Sequence, residues 1–204
     1  MKNLQLVFAT NNSHKLREIL EIAGESITIL SLNDIGFEGD IPETQDTIEG
    51  NAVQKTRFLY KKMKMNCFAD DTGLEIDALD GRPGVYSARY AGEGCNFDDN
   101  INKILEELTG IKNRKAKFRC IICLILDGKE YLFEGGIDGV ITNERIGDGG
   151  FGYDPVFIPE GYQYTFAEIP AHLKNGISHR GRAMSKMIKL LKRTDGQADK
   201  RTGV

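Results

Sequence analysis

Asp127-Gly128 lies between two runs of strand-forming residues, Lys117-Phe-Arg-Cys-Ile-Ile-Cys-Leu-Ile-Leu126 and Tyr131-Leu-Phe133. An Asp-Gly pair in such a setting is the strongest short-range signal for a β-hairpin, because the tight turn needs two residues that tolerate positive φ. The chain is therefore committed to an antiparallel pair in its second half. Its first half has a different rhythm. Gln5-Leu-Val-Phe-Ala-Thr10 is a short apolar run that reads as a buried strand, and the cap-type residues Asn11-Asn12-Ser13 follow it. Leu16, Ile19, Leu20 and Ala23 then recur at helical spacing, and Ile27 to Leu32 offers a second strand. Strand-helix-strand alternation followed by a hairpin predicts an α/β protein with a mixed central sheet flanked by helices.

The remaining elements fit that class. Residues 33–46 read as a loop, and Thr47 caps a helix with Ile48, Ala52, Leu59 and Met63 on one side. Phe68-Ala69 leads into Asp70-Asp71-Thr72-Gly73, read as a strand end. Asp98 is the expected N-cap of a helix with Ile101, Ile104, Leu105 and Leu108, stopped by Gly110. Gly139 to Thr142 reads as a further strand, and Ser178 caps a last helix with Ala183, Met187, Ile188 and Leu191 on its buried side. The 204 residues, without repeat or linker, suit one domain over residues 1–195, with 196–204 as a polar tail.

Charge and composition narrow the function. Forty per cent hydrophobic and 28% charged residues exclude bulk disorder, and no apolar run approaches the ~20 residues of a membrane span. The N-terminus has no secretory h-region, so the cytoplasm is the expected compartment. Cys120-x-x-Cys123 has metal-ligand spacing but no second pair; in a strand its thiols face opposite ways, so both are expected to be buried and reduced. Net charge is −3, yet residues 172–204 hold nine basic and two acidic side chains. That segment can meet a phosphate, a nucleic acid or the acidic remainder of its own chain. The acidic bulk disfavours duplex DNA. Glycine is unevenly placed, with 13 of 23 in the windows 73–94 and 135–161, where either turns or close approaches explain it.

Three segments suit chemistry. Thr10-Asn11-Asn12-Ser13-His14-Lys15 joins a strand to a helix start, where backbone N–H groups, polar side chains and a Lys can cradle phosphate; simple capping is the plainer alternative. Asp70-Asp71 places one carboxylate on each face of a strand, one toward a cleft and one toward structure. With no Lys or Arg beside them in sequence, the pair suits Mg²⁺, and a solvated turn is the alternative. Gly147-Asp-Gly-Gly-Phe-Gly-Tyr-Asp154-Pro155 contains GxGxxG but continues into Pro and a strand-like run rather than a helix, so it is no dinucleotide fingerprint. Phe151 and Tyr153 among glycines suggest instead a backbone closing on a flat ligand. Ser178-His179-Arg180-Gly181 adds basic groups to the first turn of a helix, where the dipole disfavours them; something anionic or carbonyl-rich is expected there.

In this order, Ala9–Lys15, Ala69-Asp-Asp-Thr-Gly-Leu74, Gly84-Val-Tyr-Ser-Ala-Arg-Tyr-Ala-Gly92, Gly149-Gly-Phe-Gly-Tyr-Asp-Pro155 and Ser178–Gly181 resemble the inosine triphosphate pyrophosphatase family. The resemblance implies a homodimer of two-lobed subunits, with the active site in the cleft between the lobes. It implies Mg²⁺-dependent hydrolysis of XTP, ITP and dITP to the monophosphate and pyrophosphate. By motif position, Thr10, Asn11, Asn12, Ser13, His14 and Lys15 would hold the triphosphate. Asp71 would accept the proton and bind Mg²⁺, with Glu43 as a second metal carboxylate and Thr72 touching substrate. Phe151, Gly152, Tyr153, Asp154, Lys174, His179 and Arg180 would enclose the base. Asn11 replaces the commoner Gly of Thr-Gly-Asn, and Pro42-Glu43-Thr44-Gln45 stands where many relatives read Glu-Glu-Thr-Gly. Two rivals remain: a less selective nucleoside triphosphate pyrophosphatase, and a noncatalytic nucleotide- or RNA-binding module. The second must explain two carboxylates that would repel phosphate without a metal.

Overall fold

A computed structural model describes residues 4–24, 27–94 and 96–198, with side chains as far as residue 193. Its strands are β1 (Gln5–Phe8), β2 (Thr28–Leu30), β3 (Cys67–Ile76), β4 (Pro83–Gly84), β5 (Lys115–Leu126), β6 (Lys129–Ile141) and β7 (Phe157–Pro159). Its helices are α1 (Ser13–Ala23), α2 (Ile48–Met63), α3 (Phe97–Glu107), α4 (Ala171–Ile177) and α5 (His179–Ala198). They form one mixed sheet in the order β2-β1-β3-β5-β6-β7, with β4 beside the far end of β3. β1 pairs in parallel with β2 and β3, whereas β3, β5, β6 and β7 pair antiparallel. The hairpin turn falls at Asp127-Gly128, both with positive φ.

The register of β3 opens the cleft. β1 pairs with β3 only at Cys67 and Phe68, and β4 only at Leu74 and Glu75. Between these short neighbours, residues 69–73 are paired on the β5 side alone. Asp70 and Asp71 sit in that gap, in mid-strand rather than at the strand end expected from sequence. Apolar cores lie on either side. One joins α1, α5, β1 and the second half of β5 around Phe8, Phe68 and Met184. The other joins α3, β6 and β7 around Phe118, Phe157 and Phe166.

Several local expectations change. The cap of α3 is Asn96, whose side chain accepts from Asp98 N and Asp99 N, and Asp98 falls inside the first turn. Gly139 to Thr142 is no separate strand, because β6 runs unbroken to Ile141. Leu20 is largely exposed despite its spacing. Cys120 and Cys123 do point to opposite faces, into different cores. Burial pushes the Cys120 thiol up to about 12 and that of Cys123 to about 11, which makes both inert as thiols. The expected tail from residue 196 begins within α5, and residues 199–204 lie outside the described residues.

Candidate active site

The gap in the sheet is the floor of a cleft of about 420 Å³, within the size range of small-molecule sites. One wall is the β1–α1 loop. Thr10, Asn11, Asn12 and Lys15 line the cleft, whereas Ser13 and His14 do not. Asn12 Oδ1 accepts from His14 N and Lys15 N, at 3.0 Å each, so two open N–H groups of the helix start are already capped. His14 turns outward and stacks on Phe151, ring centroids 5.1 Å apart.

On the floor, the two acids part as strand geometry requires. Asp71 lines the cleft; Asp70 is buried behind it. Asp70 meets Lys15 Nζ at 3.1 Å and Arg180 Nε at 3.0 Å. Burial alone would raise its pKa, but Lys15, Arg180 and Lys55 outweigh that and hold it far below the usual carboxylate range. Asp71 accepts from Lys55 Nζ and from Asn51 Nδ2, both at 3.3 Å. Burial pushes the Asp71 carboxyl up, although Lys55 and Lys15 oppose it. Lys55 Nζ also meets Glu43 Oε1 at 2.6 Å, so the two carboxylates converge on one cation position. Burial would lower the Lys55 pKa, yet Asp71 and Glu43 keep the ammonium charged. The acids lacked cationic neighbours in sequence; folding supplies Lys15, Lys55 and Arg180. The solvated-turn alternative fails because both acids are buried.

The opposite end is aromatic. Phe151, Gly152, Tyr153, Asp154, Lys174, His179 and Arg180 all reach the cleft lining, as does Thr72. Gly150 has φ +72, and a Cβ there would run into the Asp154 carboxylate, with Cγ at 2.8 Å. Asp154 therefore closes the loop beneath Phe151, accepting from Phe151 N at 2.8 Å and from Lys174 Nζ at 2.6 Å. Tyr153 is buried, and its hydroxyl donates to Ser87 O at 2.7 Å.

The basic turn finds its anions within the chain. Arg180 is fully buried between Asp70 and Glu18 and donates to Thr72 Oγ1 at 3.3 Å. Lys174 Nζ lies 2.6 Å from both Glu18 and Asp154. Of the three partners open to the basic segment, the acidic remainder of the chain takes these two side chains. His179 is not cationic as the sequence suggested. It stacks on Phe118 at 4.6 Å, and burial, with Arg180 and Lys174 nearby, holds its pKa well below 6.5. Its Nδ1 is buried and has no hydrogen-bond partner among the described residues.

Sequence reading missed Lys55, Asn51, Glu18, Phe97 and Phe118. Lys55 and Asn51 had a faint signal. They fall on the same helix face as Ile48, Ala52 and Leu59, and a polar residue in an apolar stripe is costly unless it is paired.

Comparison with known proteins decides the family. The Ham1 family model matches residues 6–190. The chain belongs to the Ham1 family. A dITP/XTP pyrophosphatase of Flavobacterium johnsoniae is 56% identical over 191 residues, covering 94% of this chain and 100% of that protein. One from Porphyromonas gingivalis is 53% identical, covering 90% and 95% respectively. The solved Ham1 protein of Staphylococcus aureus superposes with a TM-score of 0.84 at 34% identity, covering 93% of this chain and 99% of that one. The mixed-sheet α/β class read from the sequence is the fold these Ham1 proteins share.

Proposed function

We propose that this chain hydrolyses the non-standard purine nucleoside triphosphates XTP, ITP and dITP to the monophosphate and pyrophosphate. The observation that carries the reading is Asp71, a buried carboxylate with a raised pKa on the floor of a nucleotide-sized cleft, sharing Lys55 with Glu43. The names of the relatives agree with it. Residues 1–195 would work as one domain, in the cytoplasm and as a homodimer, a form supported by the family resemblance. Its partner would be a small-molecule nucleotide, with no membrane and no stable nucleic-acid partner.

Mg²⁺ fits the donor set. Glu43 and Asp71 come together at the cleft floor on either side of Lys55 Nζ, at 2.6 and 3.3 Å. Among the described residues no cluster of three or more His, Cys, Asp or Glu could cage an ion. That matches Mg²⁺, which is held through one or two carboxylates plus substrate phosphates. Glu43 and Asp71 would hold the ion, which when bound supplies charge neutralisation for the triphosphate. Asp71 takes a proton from the attacking water as the bond between the α and β phosphates breaks. Lys55 keeps its charge near the phosphates, and Lys15, in the first turn of α1, adds a second positive group. Thr10 to Lys15 bind the triphosphate, with the contacts centred on the four residues that reach the cleft. Thr72 touches substrate at the junction. Phe151, with His14 stacked on its ring, and the neutral His179 line the end of the cleft where the purine would lie. Tyr153, Asp154, Lys174 and Arg180 shape that end through the contacts they make to the chain.

Pyrophosphate release from ITP, XTP, dITP, ATP and GTP, with and without Mg²⁺, tests the proposal. Metal-dependent turnover of the first three, well above the last two, is expected. Equal turnover of all five would favour the unselective rival, and nucleotide binding without turnover the noncatalytic one. Asp71→Asn is expected to stay folded and lose 10²- to 10⁴-fold in kcat, the usual worth of a general base.

A further inference from the structure

Arg89 closes the 3-10 turn Ser87–Arg89 and lines the cleft. It lies in the Gly84–Gly92 stretch that follows β3. The other cations lining the cleft, Lys15, Lys55, Lys174 and Arg180, are all tied to carboxylates. Their partners are Asp70, Asp71, Glu43, Glu18 and Asp154. Arg89 differs from the rest: among the described residues no carboxylate lies within ion-pair distance of it. Its guanidinium rests instead over the Tyr86 ring, Cζ 5.1 Å from the centroid.

The backbone around Arg89 is unusually well fixed. Ser87 Oγ accepts from Leu74 N at 2.9 Å and donates to Gly84 O at 2.6 Å. Tyr153 donates to Ser87 O at 2.7 Å, and Asn100 Nδ2 to Ala88 O at 3.0 Å. Asn100 Oδ1 accepts from Ala91 N at 2.6 Å, and Lys103 Nζ donates to Tyr90 O at 2.7 Å. Four carbonyls of the turn and its flanks are thus held by side chains from β6–β7, α3 and the turn itself. A rigid strap that presents one uncompensated guanidinium is a preorganised anion contact, since little ordering is left to be done when the anion arrives.

We infer that Arg89 binds the polyphosphate chain of the substrate, as the one arginine or lysine lining the cleft, among the described residues, whose charge is not spent on the protein's own carboxylates. This rests on reading the cleft as a nucleoside triphosphate site. It adds a substrate-binding residue on the wall facing the β1–α1 loop, so that the phosphates are held from both sides. Arginine suits the place because its planar fork matches phosphate oxygens in pairs.

The test is calorimetric binding of inorganic tripolyphosphate and of inosine to the intact wild-type protein, Arg89→Ala and Arg89→Lys, alongside thermal unfolding and ITP turnover. Arg89→Ala is expected to bind tripolyphosphate about 10- to 100-fold more weakly, as loss of a charge-assisted pair implies. Arg89→Lys should recover part of that, while inosine binding and Tm stay unchanged and KM for ITP rises. The inference is overturned by unchanged tripolyphosphate affinity, by an equal loss for inosine, by a large fall in Tm, or by a wild type that binds no tripolyphosphate. A wild type that binds tripolyphosphate through Arg89 yet leaves ITP intact would overturn the proposed activity and keep the clamp. Normal ITP turnover with an unchanged KM in Arg89→Ala would do the reverse.

Discussion

The chemistry of this cleft rests on how one ammonium is shared. Lys55 is buried against Glu43 and Asp71, and neither carboxylate has a second cation within ion-pair distance among the described residues. Removing it therefore strands the buried Asp71 carboxylate and leaves the exposed Glu43 without its partner. Breaking a buried pair from one side typically costs about 3–5 kcal/mol, most of it the burden of the charge left behind. Lys55→Met is accordingly expected to lower unfolding stability by about 3 kcal/mol and to abolish ITP turnover. Adding Asp71→Asn should return part of the lost stability, because one stranded charge is then gone. Urea unfolding of the two single variants and the double variant measures this coupling. A double variant no more stable than Lys55→Met would show that side-chain packing, not charge, accounts for the loss. This arrangement was nearly invisible in sequence: Asp71 and Lys55 lie on different elements, and nothing local announces that Glu43 joins them.

At the scale of elements, the approach of α5 to β6 decides where His179 and Arg180 stand. Gly135 lies inside β6, not in a turn, and its missing side chain is what lets α5 sit against the strand. A Cβ there would run into His179 O and would stand 2.5 Å from Ala183 N. At Gly136 the nearest atom would be the flexible end of Lys117. Gly135→Ala is expected to cost about 1–3 kcal/mol, as overpacking does, and to lower ITP turnover by displacing the start of α5. Gly136→Ala should leave turnover near wild type. Equal effects from both would remove the packing argument. The glycine count alone could not separate the two cases, since close approach and turn formation call for the same residue. Elements set by local chemistry were legible: the Asp-Gly hairpin, the Thr47 and Asn12 caps, and the strands flanking them. Those set by tertiary contact were not. α4 begins at Ala171 with no side-chain cap, and β6 continues through glycines that argue locally against a strand. The site motifs could be read as segments, while the ion pairs binding them together, from Glu18 to Lys174 and Arg180 above all, exist only after folding.

For the whole molecule, α1, α4 and α5 are tied together by groups whose protonation differs between the folded and unfolded chain. Glu18, on α1, reaches Lys174 and Arg180 on α4 and α5. Burial would raise its pKa, but Arg180 and Lys174 outweigh that and hold it below 4.5. As pH falls through 4.5 the unfolded chain takes up this proton first, so the stability Glu18 contributes is present above that pH and is lost below it. His179 has the same sign for another reason. It is buried neutral on Phe118, with its pKa well below 6.5, whereas in the unfolded chain it protonates near 6.5. The folded state therefore starts to lose ground as pH drops below about 6.5 and loses it faster below about 4.5, each group adding up to ~1.4 kcal/mol per pH unit. Urea unfolding from pH 8 to pH 4 follows both windows. His179→Gln should flatten the slope between pH 6.5 and 5, and Glu18→Gln the slope below 4.5, whatever either change does to stability at neutral pH. If His179→Gln kept the wild-type slope in the upper window, the folded protein would have to hold that imidazole protonated, and the cleft would present a cation where a neutral ring is drawn.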